Sequence, residues 1–220
     1  MKKALTLAVP CLRLYPLLEK LFASAEKGSR RPERYVVVDN GGRLNREIAK
    51  GRIHLPVNTT IYEPAKPLGV AGAFNRILGS QNDWIVISND DVELHPRTLE
   101  KMVEAAGSDE SVGFVAPKKD SMFCVFLLKR FAFERVGRFD ERFYPAYFED
   151  NDYHRRMKLA GIKEAFVEDT GYEHVGSATL KSFSPEETQE HHRNFVRLRE
   201  LYVLKWGGLP GAEIYETPAI

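Results

Sequence analysis

The feature that most constrains this chain is a set of short, nearly unbroken apolar runs, Leu5 to Val9, Tyr35 to Val38 and Trp84 to Ile87, each stopped by proline or polar residues. A strand with one wet face alternates apolar and polar residues; a continuous run predicts a strand covered on both faces, the condition of a parallel sheet. Between the runs, apolar residues recur at helical spacing. Leu14, Leu17, Leu18, Leu21, Phe22 and Ala25 form one such set after Pro16, and Ala71 to Leu78 forms another. With a short helix at Leu44 to Ile48 and a strand at Thr59 to Tyr62, strands alternate with helices, which predicts an α/β domain.

Beyond Pro96 the pattern changes. A helix carrying Leu99, Met102, Val103 and Ala106 leads to strands at Val112 to Ala116 and Phe123 to Leu128, separated by only a turn, so the sheet is expected to become mixed. Phe139 to Phe148 is dense in aromatics and fits neither period, which predicts an ordered loop. A helix follows over Glu149 to Leu159 with Gly161 at its C-terminal cap, then a strand over Lys163 to Val167. A charged amphipathic helix is expected over Pro185 to Lys205, with Phe195, Leu198, Leu201, Tyr202 and Leu204 on its apolar side. A turn is expected at Gly79 to Asp83.

Charge and cysteine usage narrow the function. The 220 residues carry 32 basic and 31 acidic side chains, a net +1, which does not favour a nucleic-acid partner. Two distant cysteines, Cys11 and Cys124, suggest neither a disulfide framework nor a zinc site, and point to a reducing, cytoplasmic setting. The start, Met1 to Val9, is too short in its apolar part for a signal peptide, and no run approaches the ~20 apolar residues of a membrane span. Membrane attachment, if any, is expected to be peripheral.

In open α/β sheets ligands bind beyond the carboxyl ends of the strands. Asp39 lies there after the second strand and Asn89-Asp90-Asp91 after the fourth. A lone Asp after a strand is usually a turn former. Two adjacent acids repel each other, and a cation shared with substrate phosphates is a common reason to keep them.

Several motifs then occur in order: a strand ending in Pro10, Val36 to Gly41, Leu68 to Asn75, Trp84 to Val92, Phe143 to Asp152 and His174 to Ser177. As an ordered set they resemble the family 2 glycosyltransferases of the GT-A fold, over Leu5 to about Gly208, and within them a rhamnosyltransferase-like subgroup. The resemblance implies a Rossmann-like nucleotide half (1–95) and an acceptor half (96–182) in one compact domain, with a loop, helix and tail at 183–220. It implies an inverting transfer from a nucleotide-diphosphate sugar, UDP or dTDP foremost, to a saccharide or lipid-linked saccharide, assisted by Mn²⁺ or Mg²⁺.

Carried onto this sequence, the resemblance makes Asp39 the acid that meets the nucleotide base, with Pro10 as a wall. It takes Gly69, Gly72 and Asn75 past the nucleotide and sugar. Asn89 departs from the first acid of the family's D-x-D motif; Asp90 would contact ribose or shape the turn, and Asp91 would bind the metal. Asp150 would be the general base, and Glu149, Asp152 and Tyr147 would hold the acceptor. His174 would reach the metal or diphosphate, although a lone His is more often an ordinary residue. The polar stretch Thr179 to Glu190 resembles a loop that closes over the donor. Arg193 and Arg197, one turn apart, are better read as a solvated face. Two rivals remain: a sugar-phosphate nucleotidyltransferase, which would need a Gly- and Arg-rich loop where Pro10 to Leu14 stands, and a non-catalytic nucleotide-sugar- or saccharide-binding module on the same fold.

Overall fold

A computed structural model of the protein describes residues 4–79, 84–174, 176 and 178–220. The expected turn at Ser80 to Asp83, the start at Met1 to Lys3, and Val175 and Ser177 of the His174 motif lie outside the described residues. The elements in chain order are β1 (Leu5–Cys11), α1 (Tyr15–Glu26), β2 (Arg34–Asp39), α2 (Leu44–Ala49), β3 (Thr59–Tyr62), α3 (Gly69–Leu78), β4 (Trp84–Ser88) and β5 (Val92–Leu94). They continue with α4 (Thr98–Ser108), β6 (Val112–Ala116), β7 (Val125–Lys129), α5 (Arg130–Val136), α6 (Glu149–Leu159), β8 (Lys163–Phe166), β9 (Tyr172–His174), α7 (Ala178–Lys181) and α8 (Pro185–Trp206).

Seven strands form one mixed sheet in the order β3-β2-β1-β4-β7-β6-β8. The first four are mutually parallel, β7 runs against both β4 and β6, and β8 is parallel to β6. Both faces are covered, as the continuous apolar runs require. Leu7, Val9 and Val86 pack into one core with Leu18, Leu21 and Phe22 of α1, while their neighbours Ala8, Ile85 and Ile87 pack into another with Phe74 of α3, Phe126 and Tyr153. Alternate residues of one strand therefore serve opposite layers.

A third, smaller cluster sets the position of α8. Leu198, Tyr202 and Trp206 pack against Phe143 and Phe148 of the aromatic loop. The helix begins with a reciprocal capping box between Ser184 and Glu187 and ends at Gly207 in the left-handed region. Its buried stripe differs from the expected one. Leu204 is 59% exposed, whereas Lys205 is buried at 4%, between Asp140 (2.8 Å) and Asp152 (2.6 Å). Asp152 also accepts from Trp206 Nε1 and Arg156 Nε. The tail folds back on this end, with Ile214 and Tyr215 donating to the Trp206 carbonyl.

Four elements were not expected from the sequence: the helices α5 and α7, and the two short strands β5 and β9, which pair antiparallel with Val92 opposite His174. That pairing builds part of the site.

Candidate active site

The strand order reverses direction of travel at β1, which has β2 on one side and β4 on the other, and a crevice opens beyond the carboxyl ends of β1 and β4. It is a cleft of about 910 Å³. Pro10, Cys11 and Leu12 form one side, Asn89, Asp90 and Asp91 the next, and Gly69, Tyr147, Glu149 and Asp150 the far wall.

Asp91 and His174 meet here because β5 and β9 are in register. Asp91 Oδ1 lies 2.9 Å from His174 Nε2. Beside them, Asp90 is buried, and burial raises its carboxyl to about 6; the neighbouring Asp91 charge adds to the rise, while a hydrogen bond from the Cys11 thiol offsets part of it. Carboxylate oxygen suits Mn²⁺ or Mg²⁺, and an imidazole beside it favours the softer Mn²⁺. Among the described residues no three metal-ligating side chains converge into a complete cage. The Asp91–His174 pair therefore fits a cation held jointly with phosphate oxygens, the usual manner of binding at nucleotide sites.

On the far wall, the chain passes through two consecutive left-handed residues, Tyr147 (φ 90°) and Phe148 (φ 67°), before entering α6. Neither is glycine, so each carries a cost of order 1–3 kcal/mol that surrounding contacts must offset. Phe148 is held in the α8 cluster, and the Tyr147 hydroxyl lies 3.2 Å from His191 Nε2. The strained turn delivers Glu149 and Asp150 to the cleft at the positive end of α6. Glu149 is 6% exposed, and its Oε2 has no hydrogen-bond partner among the described residues. Burial, then the adjacent Asp150 charge, pushes its carboxyl well up. Asp150 is also raised by burial, against a hydrogen bond from the Asn151 backbone N–H and the proximity of His154.

Gly69 owes its identity to this wall. It sits at φ 68°, and a Cβ there would lie 2.6 Å from the Pro145 carbonyl. The next residue, Val70, donates to that same carbonyl. Asn40 clamps the turn from below by accepting from Leu68 N at 2.7 Å.

Four expected ligand residues are not among those that line the cleft, and each has partners within the fold. Asp39 is fully buried; its two oxygens accept from Tyr15 Oη, Gly41 N, Arg43 N and Leu44 N, so it organises the β2–α2 loop. Asn75 donates to the Phe139 carbonyl and to Glu141 and accepts from Phe139 N, which pins the aromatic loop to α3. Gly72 faces Leu68 and Glu141, and Asp152 is fully buried with Lys205. Arg193 and Arg197 also lie outside the cleft, the latter bonding the Tyr144 carbonyl. Conversely, Cys11, Asn40, Phe183, His191 and Asn194 line it without having been anticipated. The stretch expected as a closing loop is instead α7 and the first turn of α8, tied to the β1–α1 loop by Arg13 and Glu187 at 2.8 Å.

Comparison with known proteins identifies the family and the fold. The family model described as Glycosyl transferase family 2 matches residues 6–167. The chain belongs to this family. A galactofuranosyl glycosyltransferase from Leishmania donovani is 43% identical over 67 residues, which is 30% of this chain and 15% of that protein. Among solved structures, the mannosyltransferase PcManGT from Pyrobaculum calidifontis, in complex with GDP-Man and Mn²⁺, superimposes with a TM-score of 0.64 at 20% identity. The match covers 81% of this chain and 59% of that one. TarS of S. aureus (1-349) gives 0.62 at 15% identity, over 77% and 59%. This chain thus spans 59% of each of the two solved chains and 15% of the Leishmania protein, under two thirds in every case. The likeness supports the GT-A-like fold and the family, without singling out a rhamnosyltransferase-like subgroup.

Proposed function

We propose that this member of glycosyl transferase family 2 is an inverting glycosyltransferase that moves a hexose-type sugar from a nucleotide-diphosphate donor to a hydroxyl of a saccharide or lipid-linked saccharide. The observation that carries the reading is the convergence, in one cleft at the sheet's switch point, of the Asp91–His174 pair and a half-buried carboxylate of raised basicity, Asp150.

The chemistry follows from what each group can do. Pro10, Cys11 and Leu12 offer an apolar wall for the nucleotide. Asp91 and His174 would hold the cation, whose positive charge would neutralise the departing diphosphate. Asp150 accepts the acceptor's hydroxyl proton as that oxygen attacks the anomeric carbon; the bond to the diphosphate breaks on the opposite face and the leaving oxygen keeps the electron pair. No enzyme nucleophile is needed, so the anomeric configuration inverts. A carboxylate raised by burial is a stronger base than an exposed one, which suits this step.

The donor base and sugar are open to a panel. UDP and dTDP sugars come first, with GDP-mannose added because a structurally similar mannosyltransferase was captured with it. No helix among the described residues is long and apolar enough to cross a membrane, so a lipid-linked acceptor would be met at a membrane surface. The test is a thermal-shift series of these donors with and without Mn²⁺, repeated on Asp91→Ala. A donor at 100 times its dissociation constant stabilises by about 2.7 kcal/mol. The expected result is a Mn²⁺-dependent shift with at least one donor that Asp91→Ala abolishes, followed by turnover. Binding without any transfer would favour the non-catalytic module, and an undiminished Asp91→Ala response would overturn the metal assignment.

A further inference from the structure

The matched family segment ends at residue 167, yet α8, which starts at Pro185, lends Glu187, Glu190, His191 and Asn194 to the cleft. These residues stand next to the strained turn. The His191 ring packs edge-on against Tyr147 (centroids 5.0 Å) and Phe183 (5.7 Å). Glu149 Oε2, nine-tenths buried and bordering the same cleft, has no partner among the described residues, a costly state that a ligand's hydroxyl would relieve.

Charge in this cleft is one-sided. Eight carboxylates and a single lysine line it. Four of the acids have a cationic or imidazole neighbour: Glu187 with Arg13, Asp91 with His174, Glu164 beside His154 and Asp150 near the same His154. The others face a cleft whose low-dielectric walls concentrate their field. At the end where Asp91 and His174 would hold a cation, that charge would reverse the sign. At the Glu149, Asp150 and Glu190 end the three carboxylates outnumber the one imidazole near Asp150, that of His154, and a second anion brought there would meet like charges.

We infer that α8 forms an acceptor wall that selects uncharged saccharides and rejects anionic ones, with aromatic faces from Tyr147 and Phe183 and hydroxyl acceptors from Glu149 and Glu190. The His191–Tyr147 contact positions the Tyr147 ring. This rests on the glycosyl-transfer reading, but it makes a claim about the acceptor that the reading does not require.

The test uses the full chain with Mn²⁺ and the best nucleotide from the donor panel. Binding of methyl α-mannoside, methyl β-galactoside and methyl β-glucuronide is titrated by saturation-transfer NMR. A neutral glycoside is expected to bind at least about tenfold tighter than the glucuronide. Glu190 is exposed, so Glu190→Lys should leave the fold and nucleotide binding intact while narrowing that preference about tenfold. His191→Ala should weaken the neutral glycosides several-fold and leave nucleotide binding unmoved. Equal or tighter glucuronide binding, an unchanged ratio in Glu190→Lys, or nucleotide binding with no glycoside binding would each overturn the inference while the transfer reading stands. Failure of every nucleotide would overturn the transfer reading instead.

Discussion

Asp90 offers a sharp test because its carboxylate should act against stability. Only 8% exposed and next to Asp91, it titrates at about 6 instead of the usual 3.8. Two pKa units at 1.36 kcal/mol each amount to about 3 kcal/mol by which the folded chain disfavours the charged form relative to the unfolded chain. The sign follows directly. Between about pH 4 and 6 the folded state holds more protons at this position than the unfolded state, so stability falls as pH rises through that window, and the full penalty is present above it. Asp90→Asn keeps the size and an acceptor for the Cys11 thiol but never ionises. It should stabilise the ligand-free protein at pH 7.5 by about 2–3 kcal/mol, with the gain shrinking towards zero near pH 4. Urea titrations of both proteins at pH 4.5, 6 and 7.5 would show it as a widening difference in midpoint at constant m-value. A variant of equal or lower stability at pH 7.5, or a gain independent of pH, would refute the account.

The other predictions are shorter. Asp150→Asn should lower turnover by about 10² to 10⁴ with donor affinity nearly unchanged, and NMR of the product should show inversion; retention would remove the mechanism. Because burial raises the Asp150 carboxyl, the acid limb of the wild-type kcat/KM profile should lie above the ordinary carboxylate range, with activity lost as pH falls through it. Lys205→Met leaves Asp140 and the fully buried Asp152 short of a counter-charge and should cost about 3–5 kcal/mol by chemical denaturation. A loss below about 1 kcal/mol would show that Arg142 and Arg156 suffice.

The sheet was legible because its strands are buried on both faces, a state that writes itself as apolar runs; the mixed half was legible because only a short connection, residues 117–124, separates β6 from the antiparallel β7. The cleft was legible where residues follow strand ends or open a helix, as Asn89 to Asp91, Glu149 and Asp150 do. Asp39 shows the limit. It follows a strand just as Asp91 follows one, and what separates them is whether the next few backbone N–H groups curl round the carboxylate, as those of Gly41, Arg43 and Leu44 do. Asn75 and Asp152 show a related limit: both lie on helices, and spacing alone does not reveal that a polar residue faces inward when its partners, Phe139 and Lys205, come from elsewhere in the chain. The Asp91–His174 contact depends on two three-residue strands 80 positions apart, too short to leave a period. The polar face of α8 carries the charge pattern of a solvated face, and a cleft wall looks the same in sequence.

Where the structure departs from local preference, the departures gather at one place. Tyr147 and Phe148 take left-handed backbone conformations, Asp90, Glu149 and Asp150 are carboxylates held where burial disfavours their charge, and Glu149 keeps an oxygen unpartnered. The supports for these costs are distributed behind the cleft: Phe148 in the α8 cluster, Asn75 on the aromatic loop, and Lys205 between Asp140 and Asp152. A chain selected only for stability would replace those acids with neutral residues and the two left-handed positions with glycine or a longer turn. Their persistence in a fold that is elsewhere locally consistent is the physical argument that the cleft is the working part of the molecule. It also separates the two kinds of variant: changes at the supports should destabilise the protein, whereas neutralising Asp90 should stabilise it at the expense of ligand binding.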